Sequence, residues 1–155
     1  MKHSKVKARY GSDLMADMLR MLDIKYAVIN PGSTFRGLHD SIVNYLGNNK
    51  PEIILCNHEE IAVSIAHGYG KVAGKPIAAA VHNVVGLLHA SLAIYNSWLN
   101  EAPMLIIGAT GPMDIEKRRP WIDWIHTALV QGNVVRDYVK WDDQPSSLAS
   151  IPDSF

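Results

Sequence analysis

Two adjacent carboxylates, Glu59 and Glu60, follow a short apolar run and precede a stretch rich in alanine and glycine. A carboxyl group in such a setting can act as a general acid or base, because burial favours its uncharged form. Acidic residues in the first turn of a helix also stabilise the helix dipole, which is the simpler explanation of the pair. The small residues that follow favour the first interpretation, since they predict a helix packed closely against another helix.

Two further loops carry polar side chains that could act on a ligand. They are Asn30-Pro31-Gly32-Ser33-Thr34 and His82-Asn83. The first loop has ordinary turn composition, and a single histidine is more often structural than catalytic. A hydrolase triad of Ser33, His82 and a carboxylate is a weak alternative, because the sequence has no G-x-S-x-G elbow to present the serine.

Metal-binding and phosphate-binding patterns are not evident in this sequence. It has no C-x-x-C pair, no H-x-x-x-H helix, no calcium-loop spacing, no P-loop and no G-x-G-x-x-G. His67 and His89 fall on predicted helices, where we expect them to pack. The residues alone therefore predict no metal ligand in this chain.

The elements that would position these loops alternate between strand and helix. Four apolar runs predict strands at 26–29, 52–56, 77–81 and 104–107. Helical spacing of apolar residues predicts helices at 12–22, 35–46, 59–72 and 85–98. The strands are continuously apolar, which indicates a parallel sheet that is covered on both faces. We therefore predict an α/β, three-layer domain with a mainly parallel sheet flanked by helices on both faces.

The regular alternation weakens beyond residue 108. A short amphipathic helix is predicted at 121–130 and a final strand at 134–141. The chain is divided into a basic N-terminal extension (1–10), one domain (11–141) and the start of a linker (142–155). In a parallel α/β sheet, ligands bind beyond the carboxyl ends of the strands, so the three polar loops should converge on one edge.

Composition limits the classes of function. Fifteen basic and fifteen acidic residues cancel, and no basic surface of the kind that binds nucleic acid is predicted. No apolar run approaches the length needed to span a membrane. The single cysteine, Cys56, can form no disulfide within the chain, which favours a cytoplasmic location.

The three loops in series resemble the N-terminal pyrimidine-binding domain of thiamine-diphosphate-dependent enzymes, in particular benzoylformate decarboxylase and the acetolactate synthase group. This family has a glutamate ahead of a helix with the pattern A-x-G-Y-A-x-x-x-G-K-P. Residues 66–76 follow that pattern with Gly70 in place of the second alanine. The resemblance implies thiamine diphosphate as cofactor and a small 2-keto acid as substrate.

The resemblance also implies roles for individual residues. Glu59 is the catalytic glutamate that hydrogen-bonds the cofactor pyrimidine, and Pro31 lies beside the cofactor. Ser33, His82 and Asn83 contact the substrate, and His82 also transfers a proton. The family holds its Mg²⁺ at a G-D-G motif in a separate domain, and these 155 residues contain no Gly-Asp-Gly. His89 stands where many relatives carry an asparagine.

The favoured function is the N-terminal cofactor-activating domain of a thiamine-diphosphate-dependent 2-keto acid decarboxylase or carboligase, inactive by itself. One alternative is a stand-alone small subunit that pairs with a separate diphosphate-binding chain. Another is a non-catalytic interaction module of the same fold. A homodimer or higher homo-oligomer is expected, together with a diphosphate-binding domain in the same or another chain.

Overall fold

The computed structural model describes residues 7–155, so positions 1–6 of the predicted N-terminal extension lie outside the described residues. The centre is a sheet in the order β2-β1-β3-β4, and every neighbouring pair is parallel. Its strands are short and lie within one or two residues of the predicted positions. They are β1 (Tyr26–Ile29), β2 (Glu52–Leu55), β3 (Ala78–Val81) and β4 (Leu105–Gly108).

Helices cover both faces of the sheet, which confirms the three-layer α/β prediction. They are α1 (Gly11–Met21), α2 (Arg36–Asp40), α3 (Glu59–Ala73) and α4 (Val85–Leu99). Helices α1 and α2 pack on one face, and α3 and α4 pack on the other. The predicted helix at 35–46 is helical, but it changes type along its length: a 3₁₀ turn (Ser33–Phe35), then α2, then a π-helical turn (Ser41–Tyr45).

The central strand β3 shows why the strands are continuously apolar. Ala78 and Ala80 join the core under α1 and α2, whereas Ala79 and Val81 join the core under α3 and α4. All four side chains are buried. A strand with both faces covered has no outward position for a polar residue. Fully burying a side chain such as Val81 stabilises the fold by about 1.5–3 kcal/mol.

The strand order places a crevice between β1 and β3. From β1 the chain crosses to β2 on one side, and it later returns to place β3 on the other side of β1. The loops that leave the carboxyl ends of β1 and β3 therefore run in different directions. Such a switch point is where open parallel sheets bind ligands.

The segment after β4 differs from the sequence prediction. The helix predicted at 121–130 and the strand predicted at 134–141 are both wrong, because the described chain forms only short 3₁₀ turns there. Trp121 and Trp124 are 70% and 72% exposed, so they give a helix no face to pack on the core. Of residues 134–141, Val135 alone is buried, which is too little contact to add a strand beside β4.

The segment 142–155 lies on the domain. Ile151 is 8% exposed, and Phe155 packs against the core under α1 and α2. The assignment of this segment as the start of a linker stays a prediction.

The two glycines within α3 have different surroundings. A side chain at Gly70 would meet the backbone oxygen of Pro103 at 2.5 Å, so this glycine allows α3 to approach the loop before β4. A side chain at Gly68 would meet nothing within 4 Å. Helix α3 does pack closely on α4, as its small residues predict, and its buried Ala62 and Ala66 share a core with Ala90 and Ala93, but Gly68 takes no part in this contact. In residues 7–155, no helix combines the length and the apolar character that crossing a membrane requires.

Candidate functional site

The first turn of α3 separates the two adjacent carboxylates. The His58 side chain caps this helix, since its Nδ1 accepts a hydrogen bond of 3.2 Å from the backbone N–H of Glu60. Glu59 points inward and is 5% exposed, whereas Glu60 is exposed. Only Glu59 therefore has the water-poor position that acid–base chemistry on a ligand requires.

The carboxylate of Glu59 has no hydrogen-bond donor among residues 7–155. Nδ1 of His89 lies 3.7 Å from its Oε2, which is longer than a hydrogen bond. A side chain at Gly86 would lie 2.8 Å from Oε1 of Glu59, so α4 can approach the carboxylate only because residue 86 is glycine. Neither oxygen is among the fully enclosed unpaired side-chain atoms, so a narrow opening leaves the carboxylate free to accept a hydrogen bond from a ligand or donate one to it.

His82 leaves the end of β3 and is tied to the loop that leaves β1. Nδ1 of His82 is 2.9 Å from the Thr34 hydroxyl, and the Thr34 hydroxyl donates to Oδ1 of Asn83 at 2.9 Å. The His126 ring lies beside the His82 ring, with the two centroids 5.0 Å apart. Burial and the His126 ring lower the pKa of His82, which outweighs the opposite effect of the Glu59 charge. The imidazole is therefore neutral at pH 7 and is able to accept a proton.

A strained turn connects β3 to α4 beside His82. Val84 has φ 51° and ψ −71°, and the N–H of Val85 donates to the Asn83 carbonyl at 2.6 Å. This is a γ-turn of the rare form, which costs a β-branched residue about 1–3 kcal/mol. The backbone N–H of Val84 donates to Oε1 of Gln131 at 3.0 Å, so the tail helps to hold the turn.

The remaining predicted site residues occupy different environments. Pro31 and Ser33 are exposed in the loop after β1, where Ser33 begins the 3₁₀ turn. Asn83 is 2% exposed, and both ends of its amide are bound within the protein. Contact of Ser33 and Asn83 with substrate stays a prediction, and the contacts of Asn83 favour a supporting role.

A cluster of possible metal ligands lies at the start of α3. Ligand atoms of His58, Glu59 and His89 lie within 4.8 Å of one another. His89 is 60% exposed on its side chain, so its prediction as a packing residue is wrong. Because Nδ1 of His58 accepts the Glu60 N–H, a metal bound at Nδ1 would cost the helix its cap, whereas one bound at Nε2 would not. The expectation that this chain supplies no metal ligand stays a prediction.

Sequence reasoning missed four residues that shape the site. Thr34 lies in the predicted loop after β1 without a predicted role, and the sequence around Gly86 is that of an ordinary glycine at the start of a helix. His126 and Gln131 reach the site from the tail; His126 lies within the helix predicted at 121–130, and Gln131 follows it directly. Their only signal was polarity within an otherwise apolar stretch.

Asp123 fixes the part of the tail that reaches His82. It is 2% exposed, and both its oxygens accept from Arg119, at 2.7 Å from the backbone N–H and at 2.9 and 3.1 Å from the guanidinium. The Arg119 guanidinium and then the Arg119 backbone N–H lower the pKa of Asp123 to about 2. The Asp123 carbonyl accepts from the Thr127 hydroxyl and the His126 N–H. The ionised carboxylate thus stabilises the turn that carries His126.

We expect Asp123→Asn to lower the thermal midpoint of unfolding at neutral pH and to lower it much less near pH 2. The folded pKa of about 2 lies below the ordinary 3.8, so the ionised carboxylate stabilises the fold above about pH 4 and loses this effect as the pH falls towards 2. Circular dichroism melts at a series of pH values measure the difference. The exposed Asp153→Asn is the control, and an Asp123→Asn difference that does not change with pH would contradict the prediction.

Fold and site together define a class: an α/β ligand-binding domain with a buried carboxylate and a neutral imidazole at the carboxyl edge of its parallel sheet. Residues 9–134 match the family described as thiamine pyrophosphate enzyme, N-terminal TPP binding domain. The chain belongs to this family, which confirms the resemblance in the sequence.

Individual relatives agree with this assignment. The acetolactate synthase large subunit of Lactococcus lactis subsp. lactis (strain IL1403) is 33% identical over 147 residues, which are 94% of this chain and 24% of that protein. The 2-hydroxyacyl-CoA lyase of Saccharomyces cerevisiae is 37% identical over 70 residues, 44% of this chain and 12% of that one. The crystal structure of benzoylformate decarboxylase from Polynucleobacter necessarius aligns over 94% of this chain and 26% of its own, with a TM-score of 0.77 and 25% identity. The chain thus spans about a quarter or less of these proteins.

Proposed function

We propose that this chain is the cofactor-activating part of an enzyme that decarboxylates 2-keto acids or joins them to a second carbonyl compound. The observation that carries the proposal is the carboxylate of Glu59, which is 5% exposed and has no hydrogen-bond donor among the described residues. A ring nitrogen of an aminopyrimidine is a ligand that would satisfy it.

The residues present fit the pyrimidine half of thiamine diphosphate. At Gly86 there is no side chain to cover the Glu59 carboxylate, where a Cβ would lie 2.8 Å from Oε1. When bound, thiamine diphosphate supplies a carbon nucleophile that attacks the substrate carbonyl. Glu59, which is largely buried, would bind the pyrimidine nitrogen and donate a proton to it. His82, neutral at pH 7, accepts or returns a proton at the substrate, and Ser33 orients the substrate.

The diphosphate half must come from elsewhere, and we propose a further domain of the same or a second chain. In residues 7–155, the only cluster of possible metal ligands contains two imidazoles, whereas Mg²⁺ prefers oxygen ligands alone. The proposal therefore places Mg²⁺ with the diphosphate, outside residues 7–155.

An exposed apolar surface on α3 and α4 supports an assembled form, which we propose to be a homodimer or a higher homo-oligomer. It surrounds the side of α4 that carries His89, and its side chains are 36–61% exposed: Ile61, Ile65, Leu88, Leu92, Tyr95, Trp98 and Leu99. Apolar surface of this extent commonly marks an interface. The single free cysteine is consistent with a cytoplasmic location, which is part of the same proposal.

The test compares this chain alone with an assembly that contains it and a diphosphate-binding domain. Both are supplied with thiamine diphosphate, Mg²⁺ and a panel of 2-keto acids, and the release of carbon dioxide and the formation of carbon–carbon bonds are measured. We expect turnover by the assembly and none by the chain alone. An assembly that binds the cofactor but converts no 2-keto acid would support a non-catalytic interaction module instead.

We expect Ser33→Ala to raise KM by about 2- to 10-fold, the effect of one hydrogen bond, with little change in activation of the cofactor. Ser33 is exposed in the loop after β1, whereas Glu59 is buried at the start of α3, so the loss of the Ser33 hydroxyl should weaken only substrate binding. Steady-state kinetics of the assembly measure KM, with the exposed Ser64→Ala on α3 as control. A fall in kcat with unchanged KM would contradict this role.

A further inference from the structure

One chain of hydrogen bonds ends on the His82 ring and joins three separate segments. The amide Nδ2 of Asn83 donates to the His126 backbone carbonyl at 2.9 Å. The Thr34 hydroxyl lies 2.9 Å from Oδ1 of Asn83 and 2.9 Å from Nδ1 of His82. The loop after β1, the loop after β3 and the tail therefore meet in this network.

The chemistry of the donors and acceptors fixes the direction of every bond. A backbone carbonyl can only accept, so the amide group that faces His126 must be the NH₂ of Asn83. The Asn83 carbonyl oxygen therefore faces Thr34 and accepts a hydrogen bond from the Thr34 hydroxyl, which has only this one proton to donate. The Thr34 oxygen can then only accept from His82, so Nδ1 of His82 must carry a proton.

We propose that Thr34 and Asn83 are positioning residues that hold His82 in the tautomer protonated at Nδ1, which leaves Nε2 as the proton acceptor. The importance of this tautomer for catalysis rests on the proposed function, in which the unprotonated Nε2 of His82 faces a substrate. The tautomer itself is a property of this chain alone.

Three further observations agree with this assignment. Burial and the His126 ring lower the pKa of His82, so at neutral pH the ring carries a single proton, on either Nδ1 or Nε2. A side chain at Gly32 would lie 3.3 Å from Nδ1 of His82, so glycine there keeps the loop after β1 from crowding the ring. Gln131 holds the neighbouring Val84 in its γ-turn, which keeps Asn83 in place.

The test is nitrogen-15 NMR of the histidine side chains in the 155-residue chain, at neutral pH and without cofactor. Long-range nitrogen–proton correlations show which ring nitrogen of His82 carries the proton. We expect the proton on Nδ1 in the wild type and in Thr34→Ser, which keeps the hydroxyl. In Thr34→Val we expect the population of this tautomer to fall to about half or less, because Nδ1 loses its acceptor.

Thr110→Val is the matched control, because the Thr110 hydroxyl is buried and has no hydrogen-bond partner within the described residues. It should leave the His82 signals unchanged. A wild-type proton on Nε2 would overturn the proposal, and this result does not depend on any variant folding. An unaltered tautomer in a folded Thr34→Val, or the same change in Thr110→Val, would also overturn it. Since no cofactor is present, either result leaves the proposed function standing.

Discussion

Replacing Glu59 by glutamine should slow exchange of the C2 proton of bound thiamine diphosphate by about 100-fold or more in an assembly that contains this chain. Glutamine keeps the size of the side chain and can donate a hydrogen bond to a pyrimidine nitrogen, but it cannot transfer a proton. Loss of a positioned acid or base typically costs about 10²- to 10⁴-fold in rate. Proton NMR of the exchange at C2 in deuterated buffer measures the effect before any substrate is added.

The neighbouring carboxylate provides the control for this prediction. Glu60 is exposed and lies about 100° around the helix from Glu59, so Glu60→Gln should exchange at the wild-type rate. Cofactor occupancy must be matched between the variants, because weaker binding would also lower the observed rate. Equal rates of C2 proton exchange in wild type and Glu59→Gln at matched occupancy would show that Glu59 takes no part in activating the cofactor.

The central layers of the fold could be read from the sequence because their signal is local. The apolar runs around Val28, Ala79 and Ile106 predicted parallel strands, since only a sheet covered on both faces lacks polar positions. The position of the site followed from the same reasoning, because loops at the carboxyl ends of parallel strands share one edge. The inward direction of Glu59, as opposed to Glu60, was implied only by the family pattern.

The tail could not be predicted, because its structure depends on contacts between distant residues. The spacing of Trp121 and Trp124 is helical, but both side chains are exposed, and Asp123 between them is the buried residue. The hydrogen bonds between Asp123 and Arg119 determine the local structure there, and the helical spacing of the apolar residues does not. Amphipathic spacing predicts a helix only where a surface exists to receive the apolar face. For the same reason the contacts of His126 and Gln131 with the loop after β3 could not be predicted from their polarity alone.

The histidine on α4 shows a second limit of sequence reasoning. His89 was predicted as a packing residue because it lies on an apolar helix, but α3 and α4 bring its Nδ1 to 3.7 Å from Glu59. Contacts between the first turns of two helices depend on how closely the helices approach each other. That approach is set by Gly86, a residue whose role becomes visible only when the space around it is known.

Gly86→Ala is expected to destabilise the fold by about 1–3 kcal/mol and to reduce activation of the cofactor, although alanine is usually the better residue in a helix. The added methyl group would lie 2.8 Å from Oε1 of Glu59 and 2.8 Å from Cβ of His82, and both positions are too close for a carbon atom. Either α4 moves away from α3 or the carboxylate rotates out of its position. Both movements change the surroundings of the Glu59 carboxylate, on which the proposed chemistry depends.

Gly68→Ala is the matched control, because it adds the same methyl group to α3 where nothing lies within 4 Å. There the ordinary helix preference should prevail and raise the free energy of unfolding by about 1 kcal/mol. Urea unfolding of the 155-residue chain compares the two variants directly, and C2 proton exchange in the assembly shows whether Glu59 has moved. We expect the free energy of unfolding to fall in Gly86→Ala and to rise in Gly68→Ala, and we expect slow C2 proton exchange in Gly86→Ala alone. A Gly86→Ala chain as stable as Gly68→Ala would show that α4 does not hold the carboxylate, and the unpaired state of Glu59 would then need another explanation.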